Sequence, residues 1–208
     1  LYFVSDRNGW WNLYRERAKH VEEVLKLDAE FAQPAWMFGN AWFAFLSQDE
    51  VACVYAQGGS ETLAVLDLRD GRLKPIETPY TSFGAAIATV GTRIACVAAS
   101  PTESPRLVLV DPSSGDAEVV RASTPTRVDP AYVSVPEAIE FPTAQGLTAH
   151  AFFCPPRNTD FHAPVGERPP LIVMIHGGPT SASSDTLRLT TQFWTSRGFA
   201  VVDVNYGG

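Results

Sequence analysis

The sequence predicts two successive architectures, a run of four-stranded β-sheet units and then a strand–helix–strand unit of α/β type. Three observations predict it. A segment of short apolar strands repeats at an interval of 43 to 44 residues. The grammar of the chain changes after a stretch punctuated by Pro125, Pro130 and Pro136. Beyond that stretch, the apolar run Leu171-Ile172-Val173-Met174-Ile175 ends in His176-Gly177-Gly178-Pro179-Thr180.

The repeat carries the first part. Val51-Ala52-Cys53-Val54 returns as Ile94-Ala95-Cys96-Val97, Leu63-Ala64-Val65-Leu66-Asp67 returns as Leu107-Val108-Leu109-Val110-Asp111, and Gly71 returns as Gly115. A period of ~40 to 50 residues holding about four short strands is that of a propeller blade, which must stack on neighbours to bury both faces. In one blade, 42–46, 51–56, 62–67 and 72–76 are the expected strands, with Asp70-Gly71 as a tight turn. The next runs from about Phe83 to Val120. Upstream, strands at 1–4 and 11–15 flank the turn signal Asp6-Arg7-Asn8-Gly9, so the chain is expected to begin inside a third blade. Residues 1–123 are therefore read as a partial β-propeller, about two full blades plus part of a third, with a β-sandwich as the competing reading.

Residues 124–136 read as a linker. In 137–208, strands at 138–141 and 147–154 form an expected antiparallel pair across Ala144-Gln145-Gly146. A polar, proline-rich loop over 155–170 leads into the run at 171–175. Ser183-Ser184-Asp185 is the expected helix start, Leu187, Thr190, Phe193 and Trp194 fall near helical spacing, and Gly198 is the stop. The apolar run at 200–204 is again a strand. Strand, helix, strand with apolar strands predicts a right-handed parallel crossover.

Composition bounds the partners. The 208 residues, 45% hydrophobic and 19% charged, suffice for a large core. A net charge of −7 and a pI near 5.1 argue against nucleic acid or an anionic membrane as partner. Cys53, Cys96 and Cys154 lie far apart in apolar contexts and read as buried reduced thiols, which suits a cytoplasmic protein. No run approaches the ~18 apolar residues of a membrane span. The start Leu1-Tyr2-Phe3-Val4-Ser5 lacks the basic head and apolar length of a signal peptide.

Two glycines after a buried strand let another group approach the bare backbone closely, which is how an oxyanion hole is built. A propeller followed by such a unit resembles the prolyl oligopeptidase family of serine peptidases, in particular its acylaminoacyl-peptidase and dipeptidyl-aminopeptidase-like branch. Asp6-Arg7-Asn8-Gly9-Trp10-Trp11-Asn12-Leu13-Tyr14 resembles a family blade motif. His176 to Thr180 and Asp203-Val204-Asn205-Tyr206-Gly207-Gly208 resemble the beginning of the catalytic domain, with Gly207 where many members carry Arg. The resemblance implies β-propeller blades followed by the N-terminal part of an α/β-hydrolase domain, a mixed β and α/β fold truncated before the nucleophile. It implies hydrolysis of short peptides by acyl transfer, with the propeller as an access filter. It makes the backbone N–H of Gly178 the oxyanion donor and has Gly177 make the turn possible. The Ser, Asp and His of the triad are expected beyond Gly208, so this chain alone is expected to be inactive.

Other candidates carry blander readings. His176 precedes the nucleophile, contrary to the hydrolase order of Ser, Asp or Glu, then His, and reads as structural. Ser181, Ser183 and Ser184 sit in no Gly-x-Ser-x-Gly elbow and read as helix-start polarity. Glu22-Glu23 is similar to acidic pairs that hold a peptide amino terminus in some relatives, but reads first as solvated surface. Trp10-Trp11 is expected to pack between blades. His20, His150 and His162 have no metal-ligand spacing, and no cofactor is expected. Two rival functions remain open: a carboxylesterase or lipase using a similar turn, and a non-catalytic propeller interaction module.

Overall fold

The fold was obtained as a computed structural model that describes residues 1–36, 38–125, 128–178 and 180–205. It divides into two compact units. The first holds Leu1–Ala98 and Pro105–Ser123; the second holds Ala99–Ser104 and the chain from Thr124 onward.

The first unit is built from three small sheets. β1 (Tyr2–Ser5), β2 (Asn12–Arg17) and β3 (His20–Glu23) pair antiparallel in that order. β4 (Phe43–Phe45), β5 (Glu50–Gln57), β6 (Ser60–Asp67) and β7 (Leu73–Pro75) form an antiparallel meander. β8 (Ser82–Val90), β9 (Arg93–Ser100), β10 (Glu103–Val110) and β11 (Ala117–Ala122) form a sheet in sequential order.

Residues on successive positions of a strand point to opposite faces, and β5 uses both. Val51 and Cys53 join Leu13, Phe31, Ala64 and Leu66 in one core cluster. Ala52 and Val54 join Leu63, Phe83, Ile94 and Val108 in another. A strand buried on both faces has no polar positions to alternate, which is why it reads as an unbroken apolar run. Full burial of one such Leu or Ile side chain contributes about 1.5–3 kcal/mol.

The repeat has a local cause as well. After β6 the N–H of Gly71 bonds the carbonyl of Asp67 at 2.9 Å, and after β10 the N–H of Gly115 bonds the carbonyl of Asp111 at 2.9 Å. In each turn the aspartate carboxylate also accepts from the backbone N–H two residues on, Arg69 at 2.9 Å and Ser113 at 2.8 Å. Both glycines are left-handed, at φ +72° and +81°, and a Cβ on either would press on a carbonyl oxygen, 2.5 Å from Val24 O and 2.0 Å from Glu77 O. Only glycine meets both demands.

In the second unit, β12 (Glu137–Pro142), β13 (Thr148–Cys154), β14 (Leu171–Ile175) and β15 (Ala200–Asn205) form one sheet in the order β12-β13-β15-β14. β12 and β13 pair antiparallel, β13 and β15 pair antiparallel, and β14 and β15 pair parallel. Between them lies α1 (Leu189–Thr195). It ends in a Schellman motif: Gly198 N–H bonds Thr195 O at 3.3 Å, Phe199 N–H bonds Trp194 O at 3.2 Å, and Gly198 sits at φ +89°.

These elements correct the expected fold class. Among the described residues the chain is 46% strand and 6% helical, in several small sheets with no closed propeller. Nor does it form the start of an α/β-hydrolase domain. The parallel strands of such a sheet are covered on both faces by helices. Here, among the described residues, the second unit has one parallel pair and one seven-residue helix, and Leu171, Val173 and Ile175 are 54%, 60% and 66% exposed. Apolarity at 171–175 identified a strand without revealing how much of it would be covered.

The helix start is corrected too. It begins at Leu189 rather than Ser183, because the polar side chains before it make other bonds: Ser183 Oγ donates to Asp203 and Ser184 Oγ to Thr186. Its buried side is also polar. Thr191, Gln192 and Thr195 are buried, while Leu189, Phe193 and Trp194 are exposed by more than a third. Gln192 accounts for this: its amide oxygen accepts from Ser134 N–H at 2.8 Å and its amide nitrogen donates to Ser134 O at 3.0 Å, both bonds buried.

Candidate active site

β14 is held in parallel register with β15, Met174 opposite Asp203 and Ile175 opposite Val204. The turn that leaves its end carries Gly177 and Gly178, both exposed. Gly177 has no left-handed backbone, and a Cβ built on it would meet nothing within 4 Å. Neither conformation nor packing within this chain calls for glycine there. What glycine does is leave open space beside the backbone. His176 is half-buried, with Nδ1 2.8 Å from the carbonyl oxygen of Gly177. Pro179, Tyr206, Gly207 and Gly208 lie outside the described residues.

The segment after the turn is tied to β15. Asp203 Oδ1 accepts from Ser183 Oγ at 3.0 Å, and Asp203 Oδ2 accepts from Arg188 Nη1 at 2.7 Å. Ser183 and Asp185 are buried, while Ser181 is exposed. Sequence reasoning gave Ser183 only a helix-start role and named Asp203 within the stretch 203–208 without assigning it a role. The available signal was a carboxylate in the middle of the run Val201-Val202-Asp203-Val204.

Of the remaining candidates, His20, Glu22 and Glu23 lie on β3 in the first unit, and His150 and His162 lie in the second. Glu22 pairs with Arg15 at 2.6 Å, and that bond holds its carboxyl below the usual carboxylate range. Glu23 accepts from Asn8 Nδ2 and from Tyr14 OH, each at 3.0 Å. Both glutamates thus take part in fixing the β1–β3 sheet. Trp11 is half-buried and its N–H bonds Glu30, while Trp10 is 38% exposed. His20 and His162 are exposed, and His150 lies 3.4 Å from Glu140.

Cys53, Cys96 and Cys154 are free and buried, and burial pushes their thiols up to about 12, 11 and 11. Thiols so disfavoured as thiolates are poor nucleophiles. Among the described residues no group of three or more His, Cys, Asp or Glu side chains is placed to hold a metal ion. No helix among them is long and apolar enough to cross a membrane. An open cleft of about 900 Å³ in the second unit is lined by residues including Tyr132, Phe161, His162 and Arg197, and its lining does not include the glycine turn. The Tyr132 hydroxyl donates to the carboxylate of Asp160, which raises the phenol above its ordinary range.

No protein-family model matches the chain, and no curated protein matches it. Solved structures do. A puromycin-hydrolyzing peptidase of Mycobacterium tuberculosis is 34% identical with a TM-score of 0.92, over 99% of this chain and 32% of that one. A serine-to-alanine mutant of puromycin hydrolase complexed with PGG is 39% identical with a TM-score of 0.91, over 99% and 31%. The structural neighbours are prolyl oligopeptidase-family peptidases. An acylaminoacyl peptidase in complex with Z-Gly-Gly-Phe-chloromethyl ketone, 20% identical with a TM-score of 0.62 over 93% and 28%, shares the fold. The likeness is to the β-propeller part of these peptidases. The chain spans about a third of the length of the puromycin-hydrolysing structures it matches.

Proposed function

We propose that this chain is part of a longer serine peptidase that hydrolyses short peptides by acyl transfer, and that the turn after β14 supplies one oxyanion donor, the backbone N–H of Gly178. The observation that carries the reading is the unfilled space at Gly177 beside an exposed Gly178. A tetrahedral intermediate concentrates charge on the former carbonyl oxygen, and a donor fixed in advance stabilises that charge without reorganising solvent. The nucleophile and its base come from the rest of the longer polypeptide, so the 208 residues alone are inactive.

The likeness to puromycin-hydrolysing peptidases, one of them complexed with PGG, supports a substrate class of short peptides.

Gly178→Pro in the longer polypeptide tests this. Removing one oxyanion donor lowers kcat by on the order of 10² to 10³, with KM little changed. Circular dichroism must show the fold retained. A well-folded variant with unchanged turnover removes Gly178 from the site.

A further inference from the structure

We propose that Asp203 is a positioning residue for the Gly177–Gly178 turn, acting through Ser183 and Arg188; this rests on the reading of Gly178 given above. Between the end of β14 at Ile175 and the start of α1 at Leu189, the described residues form no helix and no strand. A segment of that length without a ladder of its own must be fixed by other bonds if its backbone is to hold one geometry, and Leu187 N–H to Ser100 O at 2.9 Å is one of them. The side chain of Asp203, 13% exposed, fixes it at two points.

Those points are placed to act together. Ser183, buried, is bound by Oδ1 at 3.0 Å, and Arg188, the residue just before α1, is bound by Oδ2 at 2.7 Å. Both oxygens of one carboxylate are therefore used, each with a separate donor. Asp203 itself stands on β15 opposite Met174 of the parallel strand β14, next to the strand end from which the glycine turn departs. The turn is thus held on one side by its own strand and on the other, five residues past Gly178, by the neighbouring strand. An oxyanion donor contributes to catalysis only if it is already in place when charge develops. A misplacement on the order of 1 Å can cost as much as about 10²-fold in rate.

The alternative role is purely structural, with Asp203 holding the second unit together and no particular connection to the turn. The two roles predict different patterns of amide exchange. Hydrogen exchange of the longer polypeptide, read by mass spectrometry, is compared for the wild type, Asp203→Ala, and the milder Ser183→Ala, which leaves the bond to Arg188. The expected result is exchange over 177–188 roughly tenfold faster or more in Asp203→Ala and smaller but measurable in Ser183→Ala, with β12, β13 and β15 unchanged. Unchanged exchange over 177–188 in both variants overturns the anchor. So does acceleration spread evenly over the whole second unit in Ser183→Ala.

A second arm uses the longer polypeptide and a short chromogenic peptide. Asp203→Ala and Ser183→Ala lower kcat with KM little changed, and Asp203→Asn, which can still accept from Ser183, recovers part of it. If Gly178→Pro lowers kcat while Asp203→Ala and Ser183→Ala do not, the positioning role is overturned and the oxyanion turn stands. If none of the three lowers kcat, the reading of Gly178 itself has failed, whatever the exchange pattern.

Discussion

β5 in the first unit and the irregular chain in the second are held by different forces. In the first, β5 sends alternate residues into two apolar clusters, and its burial is nearly all hydrocarbon. In the second, the contacts that fix irregular chain are polar: Gln192 with the backbone of Ser134, and Asp203 with Ser183 and Arg188. Apolar burial is non-directional and tolerates any arrangement that excludes water, whereas a buried hydrogen bond demands one geometry. The first unit uses the second kind as well: the buried Asn12 side chain accepts from Leu27 N–H at 2.9 Å and donates to Leu27 O at 3.0 Å.

The largest expected effect breaks the first unit. Leu66 is fully buried, so Leu66→Ala removes transfer energy and leaves a cavity, at a cost of about 2–5 kcal/mol. Urea unfolding followed by hydrogen exchange should show a lower midpoint with protection lost across β4–β7. An unchanged midpoint would mean that this cluster does not hold the unit.

A smaller effect is expected in the second unit. Gln192→Ala leaves the Ser134 N–H and carbonyl without their partners, at about 1–3 kcal/mol for a stranded group. The loss should appear as faster exchange around Ser134 and α1 while the first unit keeps its midpoint. Equal destabilisation of both units would erase the contrast drawn here.

The smallest effect is a pH dependence. The side-chain bond from Arg69, followed by its backbone N–H, holds the Asp67 carboxyl far below the ordinary aspartate range. A carboxyl depressed in the folded state contributes stability that is present above its unfolded pKa, about 3.9, and is lost as pH falls below that. The chain should therefore lose stability between about pH 4 and pH 2, and Asp67→Asn should lose less over the same range. Parallel urea midpoints for the two proteins at pH 5 and pH 3 would contradict this.

Much of the first unit was legible because its signals are local. β5 and β6 extend the runs expected at 51–56 and 62–67, and the repeated Asp-to-Gly interval codes the same turn after β6 and after β10. The class of the whole was not legible. The apolar run at 171–175 says nothing about how many helices cover it, and strand-rich repeats do not reveal whether a ring closes. The helix start was misread for a related reason: Ser183 looks like a cap until its hydroxyl is found on Asp203, twenty residues away.

The glycine turn was visible because a strand ending in two glycines is a local pattern, whereas its anchor depends on a contact between β15 and a segment with no pattern of its own. Asp203 in an apolar strand and Gln192 on a helix's buried side both look like surface residues in a linear reading. Their meaning is tertiary.

The account rests most directly on Gly178 as a donor to developing negative charge. The measurement that addresses it is the inhibition constant of a short peptide aldehyde, whose adduct with the nucleophile carries such an oxygen, on the longer polypeptide with and without Gly178→Pro. Inhibition is expected to weaken by on the order of 10² to 10³, in step with kcat/KM, while the KM of a short peptide substrate changes little. Equal inhibition of the two proteins by the aldehyde, with the fold intact in both, would contradict it.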